Sequence, residues 1–226
     1  MLLNFLSPMQ LAKGSTSFSI NRWLRPMMAL VLLSQPSFAH AHLVSTRFGE
    51  FYSGLLHPLT SLVHLVPWLA LAIFSLMQSK AFARKSLLLF PLMVALGVMA
   101  GMVSESQWII EDAVLLLNIA SFIALGALVV YSRPIAPWAG LVLVALFALC
   151  HGYANGDIQL QDGSPLLYVA GVTTAAYLVV VLVAGAAALV NDQQPWGRIA
   201  LRALGSWILA AGLIYGGFES FGVVGA

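Results

Sequence analysis

Two histidines and two prolines lie in the otherwise apolar segment GLLHPLTSLVHLVPW, residues 54–68. His57 and His64 are seven positions apart. On a continuous helix they would share one face within about 20° and be separated by roughly 10 Å along the axis. Imidazole nitrogens are common ligands for transition-metal ions. At this separation the two side chains cannot hold one ion, so the spacing predicts two successive binding positions along one helix face.

Pro58 and Pro67 interrupt the hydrogen bonding of that helix. Each lacks an amide proton, which frees the carbonyl group four residues earlier, on Gly54 and Val63. In a membrane-spanning segment such freed backbone is tolerated where it is buried in protein or lines a wet cavity. The sequence therefore favours a helix that lines an ion path. The alternative is a kinked helix whose histidines hydrogen-bond to their neighbours.

Two further segments offer ligands for a cation. Glu111 and Asn118 are also seven positions apart, and the segment CHGYANGD ends the fourth apolar run. The alternative for Glu111 is an ordinary residue at the membrane interface. Imidazole combined with carboxylate suits nickel, cobalt or zinc better than calcium or magnesium. The predicted metal ligands are His57, His64, His151, Asp157, Glu111, Asn118 and Asn155.

The composition is that of a membrane protein. Of the 226 residues, 61% are hydrophobic and 8% are charged, whereas soluble domains carry about 25% charged residues. The apolar residues occur in long runs separated by short polar breaks, which predicts an all-α, polytopic membrane protein. The single cysteine excludes an internal disulfide and a multi-cysteine zinc site. The chain shows no nucleotide-binding glycine loop, and we expect no nucleic-acid partner.

The N-terminal segment has the features of a cleavable signal peptide. A basic region precedes the short apolar run MMALVLL, and SQPSFAHAH follows it. The small residues of this segment allow cleavage after Ala39 or after Ala41. We assign residues 1–39 to the signal peptide and residues 40–226 to the transmembrane domain. An uncleaved membrane anchor is the alternative.

Cleavage after Ala39 would create a second candidate metal site. The mature chain would then begin His40-Ala41-His42. Its free amine, two deprotonated amide nitrogens and the imidazole of His42 could enclose Cu(II) or Ni(II) in a square plane. Cleavage after Ala41 would remove this site.

Six membrane spans follow the leader, at about residues 51–77, 87–103, 108–131, 136–153, 166–190 and 199–218. A cleaved leader puts the mature N-terminus outside, so the loops at 78–86, 132–135 and 191–198 face the cytoplasm. These loops and the adjoining helix ends carry six basic residues, whereas the mature outer side carries only Arg47. This asymmetry agrees with the positive-inside rule. We therefore expect a bacterial inner-membrane protein with both mature termini in the periplasm.

Glycines at four-residue spacing predict close packing between helices. Gly97 and Gly101 form a GxxxG pair of the kind that lets membrane helices approach each other. Gly152 and Gly156 either let the chain turn or let a neighbouring helix come close.

Two stretches together resemble the HupE/UreJ family, membrane proteins regarded as nickel permeases or as accessory proteins for nickel enzymes. The first-helix pattern of the family reads His-Pro-x-x-Gly-x-Asp-His, and the fourth-helix pattern resembles His-Gly-x-Ala-His-Gly-x-Glu. The segments HPLTSLVH and HGYANGD match them at His57, Pro58, His64, His151, Gly152, Ala154 and Gly156. The resemblance covers essentially the whole mature chain and also implies six spans with an outward N-terminus.

The departures from the family patterns fall at ligand positions. Ser61 replaces the glycine and Val63 replaces the aspartate of the first pattern. Asn155 replaces the second histidine of the other pattern, and Asp157 replaces its glutamate with a shorter carboxylate. Valine cannot bind or neutralise a cation, so the sequence looks like a divergent member of this family.

These features together predict a permease or facilitator for a divalent transition-metal ion, nickel in the first place and cobalt as the alternative. The ion is the transported substrate, and no permanently bound cofactor and no enzymatic activity are expected. One rival is a non-transporting, metal-binding accessory protein for hydrogenase or urease maturation, which would act with maturation proteins of nickel enzymes. Another rival is a membrane-embedded metal hydrolase in which the three histidines hold zinc.

Overall fold

The structure, a computed structural model, describes residues 41–104, 108–156 and 164–220. The chain folds in these ranges into helices joined by short connections, without strands. The helices are α1 (Ala41–Thr60), α2 (Leu62–Met77), α3 (Lys80–Val103), α4 (Trp108–Tyr131), α5 (Pro137–Gly156), α6 (Pro165–Gln193) and α7 (Gly197–Ser220). The predicted all-α, polytopic membrane fold is confirmed. The signal peptide predicted at residues 1–39 lies outside the described residues.

Five of the helices, α3 to α7, are long and apolar enough to cross a membrane. The remaining pair consists of the second part of α1, Gly49–Thr60, and α2, which together are apolar enough to form one bent span. If this pair is counted as one span, the total is the predicted six.

The first predicted span is not one continuous helix, and this expectation was wrong. Ser61 leaves the helical conformation with φ −98° and ψ 109°, and the two helix axes meet at 76°. Pro58 weakens the helix just before this point because it lacks an amide donor. The hydroxyl group of Thr60 donates to the carbonyls of Leu56 and His57, at 3.0 and 3.1 Å, and so satisfies the end of α1.

Helices α3 and α5 lie in backbone contact, and glycines allow this. A Cβ atom added at Gly97 would lie 2.3 Å from the carbonyl oxygen of Leu149, and one added at Gly152 would lie 2.4 Å from that of Val94. The predicted GxxxG packing is therefore present on α3. On α5, the lack of a side chain at Gly152 lets α3 come close, and Gly152 is not part of a turn. The contact fixes the rotation of α5 and hence the direction in which its other face points.

Three of the connections between helices, those after α2, α4 and α6, meet at one end of the molecule. The side chain of Gln78 donates to the carbonyl of Arg133 at 3.4 Å and accepts from the amide of Ile135 at 2.9 Å. Arg198 donates from Nε to the hydroxyl oxygen of Ser132 at 2.9 Å. The three loops that were predicted to share the cytoplasmic side thus lie together at this basic end.

Helix α2 runs through the core and is buried from Trp68 to Ser75 apart from the half-buried Leu69. The Trp68 ring packs edge-on against Phe90, with ring centroids 5.5 Å apart. Each helical residue advances about 1.5 Å, so the stretch of α2 from His64 to Met77 is about 20 Å long. His64 therefore lies well away from the basic end, with a packed apolar core between the two.

Candidate metal-binding site

Three histidines from separate segments form a row inside the helix bundle. His57 lies in the last turn of α1, His64 in the first turn of α2, and His151 near the end of α5. The ring centroids of His57 and His64 are 6.1 Å apart, and those of His64 and His151 are 5.7 Å apart. The break at Ser61 causes this approach, because it folds the two halves of the span toward each other. The expected separation of roughly 10 Å along a straight helix is therefore wrong.

Hydrogen bonds continue the row from His64 into α4. The Nδ1 atoms of His64 and His151 lie 3.3 Å apart. On the other side of its ring, Nε2 of His151 lies 2.7 Å from the hydroxyl oxygen of Ser121. That hydroxyl donates to the backbone carbonyl of Asn118 at 2.6 Å. His64, His151 and Ser121 are only 8%, 1% and 0% exposed, so the network is shielded from solvent.

A second set of bonds holds the end of α5 in place. The side-chain nitrogen of Asn155 donates to the carbonyl of His151 at 2.7 Å. The hydroxyl group of Tyr168, on α6, donates to the carbonyl of Asn155 at 3.0 Å. The Tyr168 ring also lies beside His57, with centroids 6.5 Å apart. Helix α6 thereby connects the two ends of the histidine row.

A family model described as HupE / UreJ protein matches residues 28–215. The chain belongs to the HupE/UreJ family. The resemblance inferred from the two motifs is thus confirmed, and membership points to a transport or accessory role in nickel or cobalt handling rather than to an enzyme. The chain is also similar to "Protein HupE" from Rhizobium leguminosarum bv. viciae, with 28% identity over 188 residues, 81% of this chain and 92% of that protein. No solved structure matches the chain.

The histidines that match the HupE/UreJ motifs are the three that form the row. His57 and His64 come from the first motif and His151 from the second, although the motifs are far apart in the chain. The glycine of the second motif, Gly152, provides the contact with α3. The two HupE/UreJ motifs therefore contribute both the imidazoles and the packing that positions one of them.

Two buried amide oxygens beside the row have no hydrogen-bond partner in the part of the chain that the structure describes. Oδ1 of Asn118 and Oδ1 of Asn155 are buried and accept no hydrogen bond from the described residues. A buried acceptor without a partner costs about 1–3 kcal/mol. Amide oxygens and imidazole nitrogens are both ligands for divalent metal ions, so these atoms fit a cation close to the histidines.

The other predicted ligands are not part of the buried row. Glu111 is exposed in the first turn of α4. Asp157 and His40 lie outside the described residues, and for His42, which is in α1, the backbone alone is described. In the described ranges no three His, Cys, Asp or Glu side chains converge on one ion position. The three histidines form two neighbouring pairs instead.

Sequence reasoning missed Ser121 and Tyr168 as members of the site. Ser121 follows the predicted ligand Asn118 by three positions in an otherwise apolar helix, which puts both on one side of α4. This spacing could have drawn attention to Ser121. Tyr168 had no comparable signal, because only the packing of α6 against α1 brings it to the row.

Proposed function

We propose that the protein is a permease or facilitator for a divalent transition-metal ion, nickel first and cobalt second, in the bacterial inner membrane. The observation that carries the proposal is the buried row of His57, His64 and His151 in apolar, membrane-length helices. Ionisable side chains inside membrane spans are costly and generally mark ion or substrate pathways. Membership of the HupE/UreJ family supports the choice of metal.

The spacing of the rings suits the transfer of one ion between neighbouring pairs. Metal–nitrogen bonds of about 2.1 Å place a ring centroid about 3.2 Å from the ion, so two rings that share an ion are at most about 6.4 Å apart. The two observed separations, 6.1 and 5.7 Å, are below this limit. An ion could be held first by His57 and His64 and then by His64 and His151. Because His57 is only half-buried and His151 is fully buried, we take His57 as the entry side.

The broken span supports transport in a second way. Irregular backbone at membrane depth is found where it is buried or lines a cavity, and transporters commonly build their ion sites at such broken helices. The carbonyl end of α1 carries partial negative charge, and His57 lies in its last turn. A cation beside His57 would therefore be stabilised by the helix end as well as by the imidazole.

The basic end, with Arg133 and Arg198, is assigned to the cytoplasm by the positive-inside rule. The histidine row then lies toward the periplasm, and both mature termini are periplasmic. The ion would enter from the periplasmic side and bind His57 before it reaches the buried pair.

A non-transporting accessory protein that binds nickel is the second candidate. The packing of Trp68, which is 0% exposed, against Phe90 favours it, since these rings belong to the apolar core between the histidine row and the basic end. Val63, at the position of the family aspartate, favours it too, because the site lacks that carboxylate. Transport would require the Trp68 contact to open.

The deciding experiment is uptake of radioactive nickel and cobalt by cells that lack their own importers. Wild type would be compared with His57→Ala, His64→Ala and His151→Ala at equal membrane levels. Leu116→Ala is the matched control, because Leu116 is a 66% exposed residue of a membrane-length helix. If each histidine substitution abolishes uptake and Leu116→Ala does not, the result supports the permease. Stoichiometric binding without uptake supports the accessory protein. If wild type shows no binding and no uptake, both candidate functions are overturned.

A further inference from the structure

We infer that Ser121 is a positioning residue that fixes His151 as a metal ligand through Nδ1, and that the cation takes the place of the proton shared by the Nδ1 atoms of His64 and His151. This inference rests on the proposed function, which it deepens by naming the ligand atoms and the group that orients them.

The direction of each hydrogen bond follows from the carbonyl at the end of the network. The backbone carbonyl of Asn118 can only accept, so the proton of Ser121 points to it across 2.6 Å. The Ser121 oxygen then accepts from Nε2–H of His151 at 2.7 Å. A neutral imidazole carries one N–H group, so Nδ1 of His151 is a lone pair. Nδ1–H of His64 donates to that lone pair at 3.3 Å.

The separation of the two Nδ1 atoms matches that of two ligands on one ion. Nitrogens bound at about 2.1 Å with an angle of 90–110° at the metal are about 3.0–3.4 Å apart. The observed 3.3 Å between His64 and His151 falls in this range. The ring centroids, 5.7 Å apart, show that the two Nδ1 atoms point toward each other, so both rings must turn to aim their lone pairs at one cation while the nitrogens keep their separation.

Binding then requires one change of tautomer and no loss of a proton. The proton of His64 moves from Nδ1 to Nε2, which frees Nδ1 to bind the cation, and both imidazoles remain neutral. His151 needs no such change, because Ser121 already holds its proton on Nε2. Histidines that bind metals commonly donate their other N–H group to an oxygen in this way, and loss of that oxygen weakens binding about 10–100-fold.

A purely structural serine would behave differently, and the chain offers a matched control. Serine hydroxyls in helices often bond to a carbonyl three or four residues earlier without further role. Ser206, an exposed residue on α7, makes such a bond to the carbonyl of Ala203 at 2.7 Å. Ser121 differs from Ser206 by its contact with His151.

The experiment uses the full chain in lipid nanodiscs with ¹⁵N-labelled histidine. One readout is the tautomer of His151 without metal, from its ¹⁵N chemical shifts, and the other is the Kd for Ni²⁺. We expect wild type to hold the Nε2–H tautomer. Ser121→Ala should lose this preference and bind Ni²⁺ about 10–100-fold more weakly. Ser121→Thr, which keeps a hydroxyl group, should restore both, and Ser206→Ala should match wild type in both.

An unchanged tautomer and Kd in a folded Ser121→Ala protein would overturn the inference, as would failure of Ser121→Thr to restore them. Folding is followed by circular dichroism and thermal melting. If Ser121→Ala does not fold, Ser121→Cys carries the same prediction, because sulfur is a weak acceptor of similar size. A wild type that binds no Ni²⁺ overturns the proposed function and the ligand assignment together, while the metal-free tautomer still decides whether Ser121 orients His151.

Discussion

The Nδ1 atoms of His64 and His151 lie 3.3 Å apart although the residues are separated by 87 positions in the chain. Two local features produce this contact. The break at Ser61 turns His64 toward the end of α5, and Gly152 lets α5 approach α3 so closely that its rotation is fixed. The candidate site therefore depends on backbone packing as much as on the imidazoles themselves.

Gly152→Ala should destabilise the protein and weaken nickel binding. The new Cβ would lie 2.4 Å from the carbonyl oxygen of Val94, so α5 would move and carry His151 with it. We expect a loss of about 1–3 kcal/mol or more, measured by thermal unfolding in detergent beside nickel binding. Gly185→Ala is the control, because a Cβ added there would meet no other helix and no neighbouring side chain within 4 Å. Equal melting temperatures for the two variants would contradict this account of the packing.

Asn118→Leu should lower nickel affinity several-fold without destabilising the metal-free protein. The substitution removes a buried oxygen that has no partner among the described residues, and the removal of such an atom is neutral or stabilising. Isothermal titration with Ni²⁺ and thermal melting would measure the two effects. Asn191→Leu, at an exposed position near the end of α6, is the control. Unchanged affinity in Asn118→Leu would exclude this oxygen as a ligand.

Nickel binding should decrease once the pH is low enough to protonate the histidines of the row. The sign follows from the chemistry, since a protonated imidazole has no lone pair for a metal and protons compete with the cation. Ni²⁺ binding by the purified protein, measured in steps from pH 7.5 downward as far as the protein stays folded, would test this. Affinity that stays constant over the whole series would count against neutral His57, His64 and His151 as ligands.

Arg198→Ala should lower the melting temperature. Its guanidinium group donates to the hydroxyl and to the carbonyl of Ser132, a residue with φ 56° just after α4. Hydrogen bonds to charged groups contribute about 1.5–3 kcal/mol, so a loss of this order is expected. Arg133→Ala removes the same charge from an exposed position and should melt close to wild type. Identical melting of both variants would show that the Arg198 contacts contribute nothing.

The mature chain should begin at His40. Mass spectrometry of protein purified from membranes would read the terminus directly, and a square-planar Cu(II) or Ni(II) absorption band would report binding there. A mature chain that begins at His42 would lack the His40-Ala41-His42 arrangement and remove the N-terminal site.

Much of the fold could be predicted because each membrane span can be recognised from its own stretch of sequence. About 20 apolar residues are needed to cross a bilayer, and the chain divides into such runs with Arg and Lys concentrated in alternate loops. The GxxxG pair of Gly97 and Gly101 likewise identified a packing face, because only small residues let backbones touch. Glu111 shows the limit, since its seven-residue spacing from Asn118 did not reveal that one is exposed and the other buried.

The sequence by itself determined the class of protein, its helices and three histidines that belong to its two motifs. The tertiary structure alone decided that these histidines form one row. Pro58 marked a weak point in the helix, but it did not reveal that the chain would leave the helical conformation at Ser61, and a spacing rule for a straight helix therefore separated His57 from His64. Likewise, the contacts of His151 with His64 and Ser121 depend on how three helices pack, which is a property of distant side chains acting together rather than of any local pattern.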